Sequence, residues 1–268
     1  MENITSVLLA LFGYTLFSTG NVLQKKGVSW LNWKGAKDKK YAANLLIWGL
    51  GILLSYVVSI IPNGMASINL PPHIVSAISG WGITAIIILS YFLLKEKLYK
   101  SDILYSIVII GAIFIIGIFQ KASPIYKVNR YALYLLVFLP FLLLIPALLK
   151  HTGNKIKTVC FSIFGGIGGG LTIVILNIAV KEYGASAAGY ITSPYLFMYG
   201  LIGITTAIVM QLAYKYGQMV LIAPLQVSFN IIYPIICSYF IFNTPVGILQ
   251  IGAIMLIVLS CYMILKKH

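Results

Sequence analysis

YALYLLVFLPFLLLIPALL, Tyr131 to Leu149, runs nineteen residues without a charged side chain, and Arg130 and Lys150 bracket it. A helix rises about 1.5 Å per residue, so this run matches a bilayer hydrocarbon core of about 30 Å. Outward from it the same pattern repeats. Apolar runs cover 4–24, 44–61, 74–94 and 103–119 on one side, and 158–180, 195–214, 218–242 and 246–265 on the other. All 19 Lys+Arg and all 5 Asp+Glu lie in the gaps. The runs are continuous rather than alternating and longer than barrel strands, which argues against a transmembrane β-barrel. The expectation is an all-α polytopic membrane protein with about nine transmembrane helices. Composition agrees: 60% of residues are hydrophobic and 9% charged, where a soluble domain carries about 25% charge.

The net charge of +14 fits loops facing anionic lipid better than nucleic acid. The basic residues are scattered over short loops, with no soluble platform between them. With alternate loops on opposite sides, Lys121, Lys127, Arg130 and Lys181 fall on one face and the other fifteen basic residues on the other. The positive-inside rule then places the N-terminus outside and the C-terminus in the cytoplasm of a plasma membrane. No basic segment precedes the first run, so a cleaved signal peptide is not expected. Cys160, Cys237 and Cys261 sit in apolar runs and read as small buried residues; neither a metal site nor a cofactor is expected. The stretch Pro62–His73, with Pro71-Pro72, is too short to cross alone. It either extends the second span or enters and leaves from one face.

The chain reads as duplicated. Ser90-Tyr91-Phe92 near the end of span three recurs as Ser238-Tyr239-Phe240 near the end of span eight, and Phe12-Gly13 is echoed by Phe164-Gly165. This divides the chain into a first repeat (1–121), a connector (122–154) with one span at 131–149, and a second repeat (155–268). One connecting span between two four-helix halves makes them inverted, as in secondary transporters that bind solute near the bilayer midplane between halves.

The stretch Ser90-Tyr91-Phe92-Leu93-Leu94-Lys95-Glu96-Lys97-Leu98 resembles the helix-end motif of the drug/metabolite transporter superfamily, which closes on Glu, a basic residue and Leu. Nine spans with a connector resemble the NIPA-type magnesium transporters more than the ten-span EamA type. Gln24-Lys25-Lys26-Gly27, the glycine-rich span ending at Lys181-Glu182, and Ala223-Pro224 are similar to that group. The resemblance implies alternating-access transport and a helix-end role for Glu96 in closing the inner face. Two departures stand out. The second-half counterpart of Lys95-Glu96 is Asn243-Thr244-Pro245. Span one also lacks the glutamate of small multidrug transporters, so proton exchange through that residue is not supported.

Polar residues within spans are the pathway candidates, because facing lipid is costly for them. Gln226, Asn230 and Ser238 step by fours along span eight with Pro234 between the last two, and Tyr233 and Cys237 lie beside them. Pro224 and Pro234 in that span each remove a backbone donor and free a carbonyl. In span one, Tyr14, Ser18, Asn21 and Lys25 share a face; they form either a pathway stripe ending at a basic gate, or interhelical hydrogen bonds and a snorkelling lysine. Thr206 and Gln211 in span seven and Asn177 in span six are further candidates. His73, at a span boundary, is a candidate gate or a structural residue. Tyr and Trp rings offer cation–π contacts to an organic cation, or serve as interface anchors. Gly165 and Gly169, and Gly166 and Gly170, have the spacing that lets helices approach closely. Without a following Lys-Ser/Thr they do not form a phosphate loop. Glu96 and Asp102, among Lys95, Lys97 and Lys100, are expected as exposed ion pairs of about 0–1 kcal/mol.

An enzyme is not expected, since no paired carboxylates or Ser/His/Asp set appears. The leading class is a secondary transporter, a monomer or homodimer in the bilayer, moving a small organic solute past amides, hydroxyls and rings. Magnesium is the alternative, although dedicated magnesium sites normally use carboxylates; a membrane scaffold is the other. Absence of a nucleotide motif and of a carboxylate within a span points to a uniporter or exchanger.

Overall fold

The computed structural model describes residues 2–31, 39–59, 61, 62, 65, 80–119, 128–149, 151–183, 192–243 and 247–267, which are mostly helical with no strand among them. In chain order the helices are α1 (Glu2–Gly27), α2 (Lys39–Leu53 continued as Leu54–Val58), α3 (Trp81–Leu94), α4 (Lys100–Phe119) and α5 (Arg130–Leu148). Then follow α6 (Asn154–Tyr183), α7 (Tyr195–Tyr216), α8 (Met219–Phe242) and α9 (Ile248–Lys267). Seven of them, α1, α2 and α5 to α9, are long and apolar enough to cross a membrane, and α3 is a shorter apolar helix. The chain is an integral membrane protein built of helices. Most of the stretch 62–73, including His73, lies outside the described residues.

The helix ends follow local chemistry. Lys25 and Lys26 occupy the last turn of α1, where the partial negative charge of the helix end favours cations. At the α4 start Tyr99 N donates to Asp102 Oδ2 at 2.9 Å, the acidic half of a capping box, and Asp102 N donates to the backbone Tyr99 O at 2.9 Å. Asn129 caps α5 by accepting from Ala132 N at 3.2 Å. Pro140 cannot donate to Leu136 O, the carbonyl one turn back. Tyr233 Oη donates to that oxygen at 2.7 Å instead.

The two Ser-Tyr-Phe segments share a local geometry. The helix containing Ser90 ends at Lys95 (φ 56°) and the helix containing Ser238 ends at Asn243 (φ 54°), each five residues past its serine and both left-handed. In each, the Tyr and Phe rings meet edge to face, with centroids 5.2 Å apart for Tyr91–Phe92 and 5.1 Å for Tyr239–Phe240.

The chain forms two compact units that cross its linear order. The first holds Met1–Gln120, Tyr214–Pro224 and Leu249–His268; the second holds Lys121–Ala213 and Leu225–Ile248. In the first unit α1 and α2 are pressed together: a Cβ on Gly20 would lie 2.6 Å from Gly51 O and 2.7 Å from Ser55 N. Ser55 Oγ bonds Gln24 Nε2 at 3.0 Å and Asn21 Oδ1 at 3.2 Å across that seam. Helices α4 and α9 run antiparallel, joined at one end by Gln250 Nε2 to Phe119 O (3.4 Å) and at the other by Lys267 Nζ to Ser101 Oγ (2.6 Å). In the second unit α5, α6, α7 and α8 enclose an apolar core that includes Leu133, Leu171, Ile175, Ile202, Tyr233 and Ile241.

Candidate functional site

The second unit is organised around one glycine-lined helix. On α6, Gly165 and Gly168 face α7: a Cβ at Gly165 would run into Met210, and one at Gly168 into Thr206, whose own Cβ would be 3.0 Å away. Gly166, Gly169 and Gly170 face α8. Cβ atoms there would meet the backbone of Gln226, Asn230 Oδ1 at 2.9 Å, and Asn230 O at 2.9 Å with Pro234 Cδ at 2.7 Å. Contacts advance together on α6 and α8, so these helices are parallel, and in opposite senses on α6 and α7, which are antiparallel. The close packing expected of the glycine spacing is present on two sides of α6 rather than one.

Three polar atoms on the helices packed against α6 lack partners. Among the described residues, Thr206 Oγ1, Gln226 Oε1 and Asn230 Oδ1 are buried without a hydrogen-bond partner. Leaving such a group unsatisfied costs about 1–3 kcal/mol, and buried polar groups of native proteins are normally paired with protein or water. Thr206 and Asn230 lie against consecutive residues of α6, Gly168 and Gly169, whose Cα atoms are about 3.8 Å apart. Gln226 is one turn before Asn230 on the same face of α8. Pro234 removes the donor that Asn230 O would otherwise receive. The cluster offers neutral oxygens, with no carboxylate in it. No group of three His, Cys, Asp or Glu that would hold a metal occurs among the described residues.

Other candidates are placed elsewhere. Tyr233 does not line this cluster: its hydroxyl is bound to Leu136 O and its ring is buried in the apolar core. Gln211 is buried on α7, beyond Met210, and Ser238 is half-buried near the far end of α8. The side chain of Asn177 lies outside the described residues, as does His73. Tyr14, Ser18 and Asn21 belong to the first unit, the cluster to the second. Tyr14 is half-buried. Ser18 Oγ donates to Gly82 O at 3.1 Å and Asn21 Oδ1 accepts from Ser55, so this stripe is interhelical bonding. Asn21 Nδ2 alone of its polar atoms is unpartnered among the described residues.

Lys25 and Glu96 correct the sequence reading. Lys25 Nζ does not snorkel away from the protein; it donates to the carbonyls of Tyr214 and Gly217 at the end of α7. Glu96 is 9% exposed and Asp102 0%, so neither is a solvated ion pair. The Glu96 carboxylate accepts from Met219 N at 2.9 Å and Val220 N at 3.2 Å, the first N–H groups of α8. The reason is the hairpin itself, which buries a helix end next to each charge and offers better partners than the flanking lysines. The partners Gly217, Met219 and Gly168 carry no sequence signal; only the fold brings them to Lys25, Glu96 and Thr206. No family model, curated protein or solved structure matches this chain.

Proposed function

We propose that the protein is a secondary transporter of the drug/metabolite transporter type, not an enzyme, moving a small solute by alternating access. One observation carries the reading: Thr206 Oγ1, Gln226 Oε1 and Asn230 Oδ1 are buried without partners on the two helices packed against the glycines of α6. A stable scaffold has no use for three unpaired groups in one place, whereas a solute that brings its own hydrogen bonds does. The uncharged lining suits an organic solute with hydroxyl or amide groups. The nine-span, twice-repeated architecture with an outside N-terminus in the plasma membrane belongs to this proposal. It is supported by the matched left-handed helix ends at Lys95 and Asn243.

Magnesium is a second reading, favoured by the fact that the three unpaired atoms are all oxygens, the ligand type of hard cations. A hydrated ion would be held through its water.

Proteoliposomes separate these readings. Magnesium influx is followed with a trapped indicator under a clamped inside-negative potential, beside uptake of a panel of labelled metabolites and organic cations. Gln226→Met and Asn230→Leu are the controls. Each removes an unpaired polar group at nearly constant volume, so thermal stability holds or rises while transport is lost. Saturable magnesium influx lost in both variants selects the cation; solute uptake lost in both selects the organic carrier. Strong destabilisation by either variant means that its amide has a structural partner, and the proposal fails.

A further inference from the structure

The turn between α7 and α8 is held by two charges, each matched to the helix end it touches. Lys25 donates to the terminal carbonyls of α7, at Tyr214 and Gly217. Glu96 accepts from the first two N–H groups of α8, at Met219 and Val220. A helix C-terminus carries partial negative charge and an N-terminus partial positive charge, so both contacts are attractive in sign as well as hydrogen-bonded. Two N–H groups on one carboxylate constrain rotation and height of α8 together, because they point along the helix axis from different positions around it. Lys95 makes this possible: its left-handed conformation ends α3 and releases Glu96 from the helical path.

These same two helices carry the unpaired polar cluster. Residues 214–224, the tip of the hairpin, lie in the first unit with Lys25 and Glu96; Thr206, Gln226 and Asn230 lie in the second. Both helices are continuous through that division, α7 to Tyr216 and α8 from Met219 to Phe242. Gln226 follows Met219 by two helical turns, about 10 Å. Glu96 thus holds the end of the same helix, α8, that carries Gln226 and Asn230.

We infer that Glu96 and Lys25 are positioning residues for the Thr206–Gln226–Asn230 cluster, setting the register in which those side chains face the solute. The inference rests on the solute-binding reading of the cluster. Glu96 and Lys25 do not touch the solute; they act through the hairpin.

The test is the rate at which a membrane-impermeant maleimide labels single cysteines in nanodiscs, in a Cys160→Ala, Cys237→Ala, Cys261→Ala background. The reporters are Gln226→Cys and Asn230→Cys, with Thr172→Cys on α6 as a reference away from the hairpin. Glu96→Gln changes the rate at 226 and 230 at least three-fold and leaves that at 172 within two-fold, and Glu96→Asp restores it most of the way. Lys25→Met acts in the same direction, and Lys25→Arg restores it. Where Glu96→Gln does not yield monodisperse protein, Glu96→Asp and Lys25→Arg are read alone, as smaller shifts confined to 226 and 230. Labelling at 226 and 230 that ignores Glu96 and Lys25, or an equal change at 172, overturns the positioning role and leaves the transporter reading standing. No labelling at 226 or 230 with Glu96 intact means that water does not reach the cluster, and both readings fall.

Discussion

At the scale of single residues, hydrogen in place of a methyl group decides how α6 meets its neighbours. A Cβ at Gly166 would collide with the backbone of Gln226 and lie 2.9 Å from Phe229 Cβ, whereas Gly111 has nothing within 4 Å. Backbone cannot step aside as a side chain can. Gly166→Ala therefore costs about 1–3 kcal/mol through forced separation of α6 and α8. Gly111→Ala is neutral or stabilising by up to about 1 kcal/mol, because alanine loses less entropy in a helix. Thermal unfolding of the two variants in detergent measures the difference, and equal midpoints would remove the close-packing account. Gly165 is intermediate, since what its Cβ would meet is the flexible thioether of Met210. The spacing of Gly165, Gly166, Gly169 and Gly170 announces a packing face in the sequence. Which partner each glycine meets is not in the spacing.

At the scale of the element, two acidic residues near the ends of spans, Glu96 and Asp102, close helices. Asp102 is buried and accepts from Tyr99 N at the start of α4. Loss of such a cap costs about 0.5–2 kcal/mol. Asp102→Ala lowers stability by that amount, and Asp102→Asn, which keeps an acceptor oxygen, by less. The deficit of Asp102→Ala persists at high salt, because a buried hydrogen bond is screened much less than a surface ion pair. Denaturation at low and at molar salt checks this; a deficit that vanishes with salt would restore the exposed ion pair with Lys100 or Lys97. Tyr233 makes the same point for the apolar helices. Its hydroxyl reads as polar lining in a span, yet its partner is the carbonyl that Pro140 leaves free. The proline is visible in the sequence of α5; that the tyrosine of α8 would reach it is not.

At the scale of the whole molecule, the arrangement of charge along the chain makes a topological prediction. By the positive-inside rule, the C-terminal Lys266 and Lys267 and the loops bearing Lys95, Lys97 and Lys100 are predicted to face the cytoplasm, and the loop bearing Lys127 and Arg130 the outside. Reporter fusions check it: a fluorescent protein that folds only in the cytoplasm is bright after His268, and a periplasm-dependent phosphatase is active after Lys127. A bright fusion after Lys127, or a dark one after His268, defeats this orientation and the inverted-repeat proposal with it. The contact between Lys267 and Ser101 agrees with the scheme, since it puts the C-terminal end of α9 beside the start of α4.

The sequence by itself determined that the chain is an all-helical integral membrane protein, where most of its helices begin and end, and which helix carries closely spaced glycines. These are one-dimensional properties: charges avoid hydrocarbon, apolar runs have the length of a bilayer, and Ser90-Tyr91-Phe92 recurs at Ser238-Tyr239-Phe240. The tertiary structure alone decided which polar side chains are left over. Of the polar residues in the spans, Ser18 and Tyr233 are fully used in joining helices, and Asn21 in part. Thr206 and Asn230 end against Gly168 and Gly169, and the backbone of Gln226 against Gly166, where glycines bring no side-chain donor or acceptor; Thr206 Oγ1, Gln226 Oε1 and Asn230 Oδ1 are left without partners among the described residues. A side chain's type sets what it can bond to. Whether a partner stands within reach depends on helices far apart in the chain, as with Glu96, Lys25 and the hairpin they hold.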